Sequence, residues 1–288
     1  MSHPQIATFA RLAKENTPPN RLIAGQATKL SRTMHDIRYD AVHDEIVVTN
    51  PFANAILTFR GSANGEEPPI RVIQGPRTQL AGGTTTPDRA EVDPVNNELL
   101  VPNRDSILVF PREATGNVAP IRVIRGPETR LRGAGSLAVD PIRNLIVVNS
   151  GGGGELESSS GAGAAPTRRG SGLLIFNRTD NGNVKPQAVI SGPKTELLST
   201  HQMQVYPPKG WIIVTQITNP PDQEPENVFV GIWSIRDNGD VPPRWKLGGP
   251  KSTLKKPRGV VLIPAHKELI VADMRLNSVL TFYFPEMF

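Results

Sequence analysis

Residues 121–131, IRVIRGPETRL, set the reading of the whole chain, because the same phrase returns four more times: RLIAGQATKL from Arg21, IRVIQGPRTQL from Ile70, AVISGPKTEL from Ala188 and WKLGGPKSTL from Trp245. The aligned glycines stand at 25, 75, 126, 192 and 249, a spacing of 50, 51, 66 and 57 residues. A second phrase alternates with the first: YDAVHDEIVVTN from Tyr39, VDPVNNELLVPN from Val92, VDPIRNLIVVNS from Val139, VYPPKGWIIVTQ from Val205 and LIPAHKELIVAD from Leu262. Self-similarity at this period marks a solenoid or a propeller.

Composition agrees with short strands. The 28 prolines and 26 glycines among 288 residues punctuate the chain too often for long helices. A hydrophobic content of 38% is enough for a core, and a closed β-architecture runs to this length as one domain. The net charge is +5, but the 32 basic and 27 acidic residues are interspersed, and a basic stripe carrying base-stacking aromatics is missing. A nucleic-acid partner is therefore not expected. Without cysteine there is no disulfide, thiolate nucleophile or cysteine-ligated zinc. The N-terminus, MSHPQIATFARLAKENTPPN, has no apolar core of signal-peptide length, and no run approaches a membrane span. These features lead us to expect a soluble chain, cytoplasmic or exported after processing.

Between Gly75 and Gly126 the unit reads as strand A at 89–93, B at 98–101, C at 106–110 and D at 121–124. DPVNN joins A to B, and PREATGNVAP joins C to D; both are rich in turn formers. Strand C recurs at 55–59, 172–176, 228–235 and 278–284, and a C-like strand at 5–10 precedes a D strand at 21–23. Counting gives five A, five B, six C and five D strands. The expected fold is all-β: a single β-propeller of four-stranded antiparallel blades, with five visible repeats closed by N- and C-terminal strands. Six blades also fit the count. The blades fall at 31–80, 81–131, 132–197, 198–254 and 255–288, with residues 1–30 closing the last one. The surplus strand at 5–10 reads as an extra edge strand, as part of a degenerate sixth blade, or as a strand added to a neighbouring molecule.

The phrases PRGVVLIP…KELIVADMRLNSVLTF and GSLAVDPIRNLIVVNS resemble NHL-type propeller repeats, and ATGNVAPIRVIRGPETRL is similar to repeats in poorly characterised bacterial propeller proteins. That resemblance spans nearly the whole chain. It implies a propeller, and for activity it implies a choice among binding platform, sugar-lactone hydrolase and lyase, since a shared fold is not a shared chemistry.

Most repeated residues have structural explanations. Asp40, Asp93 and Asp140 close strand A, where a carboxylate accepts backbone amides two residues on. The glycine before each Gly-Pro proline supplies a backbone shape other residues resist. Function is better sought where the repeats disagree. Five residues before the strand A aspartate position stand His35, Asp88, Gly135, His201 and Arg258; ten after it stand Asn50, Asn103, Ser150, Gln216 and Asp273. In a propeller both positions fall on one face, so these side chains are expected to ring a channel mouth. His35, Asp88, His201, Arg258, Asn50, Asn103, Gln216 and Asp273 are the candidate ligand-binding set. Asp88, Asn103 and Asp273 are candidate oxygen ligands for calcium, and His35 or His201 a candidate general base. HExxH and GxSxG motifs are absent. Insertions at 150–172 (Gly/Ser-rich) and 217–227 lie between strands B and C of neighbouring units, on the same face, as lid, docking loop or unselected insertion.

Two function classes follow. The first is a non-catalytic scaffold that binds a protein partner, or copies of itself, through its loop face and strand edges, with no cofactor. The second is a calcium-assisted hydrolase of lactonase type. Phosphate binding through the GP-[RK]-T segments is weakened by Glu128, which breaks the basic pattern.

Overall fold

The computed structural model describes residues 4–32, 34, 36–80, 89–151, 171–217 and 228–288. The fold is all-β, a five-bladed β-propeller, with no α-helix among the described residues. An N-terminal hairpin pairs β1 (Gln5–Thr8) with β2 (Arg21–Ala24). Four sheets of four strands follow. They are β3 (Ile37–Asp40), β4 (Glu45–Asn50), β5 (Ala55–Arg60) and β6 (Arg71–Gln74); β7 (Glu91–Asp93), β8 (Glu98–Pro102), β9 (Ser106–Pro111) and β10 (Arg122–Arg125); β11 (Leu137–Asp140), β12 (Leu145–Ser150), β13 (Gly172–Asn177) and β14 (Ala188–Ile190); and β15 (Thr200–Tyr206), β16 (Trp211–Gln216), β17 (Phe229–Ser234) and β18 (Trp245–Gly248). The last sheet has three strands, β19 (Pro257–Ile263), β20 (Glu268–Asp273) and β21 (Ser278–Tyr283). In each full sheet the order is A, B, C, D, as the repeats predict. Five sheets carry an A–B pair, and the N-terminal hairpin supplies only C and D.

By its contacts the chain divides into two compact units, Met1–Asn103 with Ile107–Val123, and Arg104–Ser106 with Ile124–Phe288. The core of the first unit is built from alternate strand residues. Ile23, Ile46, Val48, Leu57 and Phe59 form one cluster, while Val47, Ile56, Ile73, Leu99, Val101, Leu108 and Phe110 form another. Residues 46 and 48 face one way and 47 the other, as a period of two requires. In the second unit one cluster gathers Val147, Leu173, Ile175, Met203, Ile212, Val214 and Trp233, and another Ile213, Val230, Ile232, Val260, Leu269, Val271 and Met287. The C-terminal segment anchors the latter: Trp211 Nε1 donates to the Met287 carbonyl at 3.1 Å, and Trp211 meets Trp245 edge to face at 5.2 Å.

The opening phrase acquires a physical meaning here. After each D strand the chain makes one 3-10 turn, at Gln26–Thr28, Pro76–Thr78, Pro127–Thr129, Pro193–Thr195 and Pro250–Ser252. The buried Thr78 hydroxyl donates to the Gly75 carbonyl at 2.6 Å and accepts from Leu80 N at 3.3 Å, and the same pair of bonds recurs at Thr28, Thr129, Thr195 and Ser252. The next residue, Gln79 or Arg130 for example, takes the left-handed conformation, and the following leucine enters the core.

The C–D loop of the following sheet docks beside four of the five D strands, β2, β6, β10 and β14. Ile23 bridges Gly65, Ile73 bridges Gly116, Ile124 bridges Gly182 and Ile190 bridges Gly239, all parallel. A side chain then reaches the turn: Asn117 Oδ1 accepts from Arg77 N at 2.8 Å, and Asn183 Oδ1 from Glu128 N at 2.9 Å. Gly126 sits at φ 133°, and a Cβ there would lie 2.3 Å from Asn183 Oδ1. Gly126→Ala should therefore cost about 1–3 kcal/mol of stability in urea unfolding. Met287→Ala, which hollows a fully buried site, should cost about 2–5 kcal/mol.

Candidate functional site

Asp40, Asp93 and Asp140 take the expected Asx role. Their Oδ1 atoms accept from Val42, Val95 and Ile142 N at 2.9, 3.1 and 3.0 Å, and also from the amide one residue further on. The second oxygen of each holds a side chain: His43 Nδ1 at 2.7 Å, Asn96 Nδ2 at 2.7 Å and Arg143 Nη1 at 2.8 Å. Each carboxylate is consumed by its turn.

Of the candidate mouth residues, His35 and Asp88 lie outside the described residues. His201 is half-buried on β15 and Arg258 half-buried on β19. Asn50, Asn103, Gln216 and Asp273 are buried at or just past the ends of the B strands. Their polar atoms serve the segment that follows a 3-10 turn. Asn50 Nδ2 donates to Lys29 O at 2.9 Å, Asn103 Nδ2 to Gln79 O at 3.2 Å, and Ser150 Oγ to Arg130 O at 2.8 Å. Gln216 Oε1 accepts from Leu198 N and Ser199 N, both at 3.1 Å. Asp273 accepts four amides: Lys255 and Lys256 on Oδ2 at 2.7 and 2.8 Å, Arg275 and Leu276 on Oδ1 at 3.0 and 3.2 Å. Four residue types at five positions thus perform one task, tying a loop to the end of strand B. A cation at Asn103 or Asp273 would compete with these bonds. Among the described residues no three His, Asp or Glu side chains converge as a metal-binding group.

A buried cluster of titratable groups that repeat alignment did not single out lies between β3 and β7. In the first unit Arg38, buried on β3, donates from Nε to Ala90 O at 3.1 Å and stands 3.3 Å from Glu91 and 3.6 Å from Asp36. Burial works against the Arg38 charge, but Asp36 and Glu91 outweigh it and hold its pKa above the usual arginine value. Burial pushes the Glu91 carboxyl up to about 7, against the pull of Arg38, although its side chain keeps 16% exposure. A carboxyl that titrates near neutrality can exchange a proton under physiological conditions. The available signal was the charged pair itself, Arg38 and Glu91 on strands whose neighbours are apolar. Asp36 Oδ2 also accepts from Ala90 N at 3.3 Å, so the cluster ties β3 to β7 as well as carrying charge.

In the second unit a surface depression lined by Pro127, Glu128, Arg130, Lys185, Pro186 and Val189 contains one exposed ion pair, Lys185 to Glu128 at 3.2 Å. No described helix is long and apolar enough to cross a membrane. No protein-family model matches the sequence, and no curated protein matches it.

Because the Glu91 pKa is higher in the folded chain than in the unfolded one, the folded state binds the extra proton between those values, and stability falls as pH rises from about 4.5 through about 7. Glu91→Gln removes that slope. The melting temperature of the variant relative to the native protein should climb between pH 5 and pH 8, as thermal denaturation across that range will show. If Asp273 is committed to its loop, Asp273→Ala should cost about 1–3 kcal/mol or more, since it strands four amide donors.

Proposed function

We propose that this chain is a non-catalytic propeller scaffold, of NHL-type repeat, that binds protein through strand edges and its loop-bearing face, copies of itself included. The observation that carries this reading is the last sheet. It ends on β21, on whose outer edge no strand pairs among the described residues, and Val279 and Tyr283 on that strand are 68% and 71% exposed. An open edge with apolar side chains is a template for another strand. The variable B-strand residues support the same reading from the other side, because their polar atoms are spent on loops.

Light scattering tests the N-terminal route to assembly. Deleting residues 1–12 should change the oligomeric mass; an unchanged assembly would rule out strand exchange by that segment.

The second reading, a calcium-assisted hydrolase with Asp88, Asn103 and Asp273 as ligands and His35 or His201 as base, is favoured by the recurrence of a polar residue at the end of every B strand. Calcium that binds the folded state must raise the melting temperature. The scaffold reading expects no shift with Ca²⁺, Mg²⁺ or Zn²⁺ and no lactone turnover; a saturable shift lost in Asp273→Ala, with turnover, would replace it with the hydrolase.

A further inference from the structure

Among the described residues four C strands, β5, β9, β13 and β17, carry a D strand on their far edge, and β21 does not. The last sheet is also open on one face. Val279 occupies the position of Ile56, Ile107, Leu173 and Val230 in the other C strands, all 1% exposed or less, yet it is 68% exposed, and Val261 on the same face is 44% exposed.

At the other end of the chain, β1 and β2 form half a blade. Thr8 pairs Arg21 and Ile6 pairs Ile23, the register in which Thr58 pairs Arg71 and Ile56 pairs Ile73. Strand β2 is therefore a D strand in sequence and register, and it carries the D-strand contact to the next sheet, with Ile23 bridging Gly65. The hairpin packs Ile6 and Ile23 over Ile46, Leu57 and Phe59, but on β3 Ile37 and Tyr39 stay 49% and 61% exposed. One sheet lacks its D strand, and one D strand is held by a C strand that has neither A nor B.

A pairing rule says which D strand belongs on β21. The first residue of strand B and the first of strand D meet across strand C, and their chemistry changes together. Glu45 pairs Arg71 at 2.5 Å and Glu98 pairs Arg122 at 2.7 Å. In the third full sheet the two positions are Leu145 and Ala188, both apolar and packed on one cluster; in the fourth they are Trp211 and Trp245, edge to face at 5.2 Å. The last sheet has Glu268 at this position, with Thr281 between, as Thr58 stands between Glu45 and Arg71. The strand that completes it should begin with a cation, and β2 begins with Arg21.

We propose that β21 accepts strand Arg21–Ala24 of a second copy of this chain, in place of that copy's β1, so that copies join end to end. The proposal rests on the scaffold reading and names its partner. The donated strand keeps its Gly65 contact, so the junction between copies repeats the junction between consecutive sheets within one. The last sheet then covers Ile37 and Tyr39 of the donor. Donor and acceptor surfaces differ, so the contact is heterologous and builds open chains or closed rings.

The test is light scattering of the full chain over about a hundredfold concentration range. Mass should rise in whole multiples of one chain. Arg21→Glu and Glu268→Arg should each abolish this rise, and both an equimolar mixture of the two and the R21E/E268R double variant should restore it. That rescue separates loss of pairing from loss of folding. Thr281→Pro removes an outward-facing backbone donor while leaving the β20 side of the strand paired, and should hold the protein at one chain; removing residues 5–8 should let assembly begin at lower concentration. A single-chain mass at every concentration overturns the proposal, as does association that the charge reversals and Thr281→Pro leave intact. Assembly abolished by removing residues 5–8 overturns it too, making β1 the joining strand and leaving the scaffold reading standing.

Discussion

A four-stranded sheet of three- to seven-residue strands has two apolar faces and cannot cover either by itself. In this chain that constraint explains most of what recurs. Each buried Ile, Leu or Phe stabilises by about 1.5–3 kcal/mol only if a neighbouring layer removes it from water, so every sheet is built to be stacked. The repeat supplies a device for holding the layers in register: the C–D loop of one sheet bridges the D strand of the sheet before it, at Gly65, Gly116, Gly182 and Gly239. Glycine is required where that loop's side chain crowds the turn, as Asn183 does at Gly126. The conserved geometry of the phrase IRVIRGPETRL is the geometry of this joint.

Much of this could be read before any coordinates. Strands B and C of the repeat lie within a residue or two of where alternation and turn residues put them, and the Asx role of Asp40, Asp93 and Asp140 follows from their place at the end of strand A. The 3-10 turn was less visible, because Pro-x-Thr suggests a loop until the threonine hydroxyl is seen closing it. The B-strand ends were legible as aligned positions but not as chemistry. Asn50, Asn103, Ser150, Gln216 and Asp273 look like functional variation in sequence, whereas in space they are different donors and acceptors bound to the same stretch of backbone. The Arg38, Glu91 and Asp36 cluster joins residues more than fifty positions apart, and no local pattern announces a contact of that range.

Among the described residues, the stacking is left incomplete at the N-terminal hairpin and at the last sheet. The last sheet buries one face through Val260, Leu269, Val271 and Met287 and exposes the other through Val261 and Val279. The N-terminal hairpin covers β4 and β5 but leaves Ile37 and Tyr39 on β3 in solvent. The polar residues at the B-strand ends are spent on loops, while exposed apolar side chains stand on β3 at Ile37 and Tyr39, on β19 at Val261 and on β21 at Val279 and Tyr283.

Hydrogen exchange followed strand by strand, at low and at high protein concentration, tests this most directly. The account predicts that amides of Ser278–Tyr283 gain protection as concentration rises while those of Gln5–Thr8 lose it, one strand being exchanged for the other. Protection of both segments that is independent of concentration would contradict it.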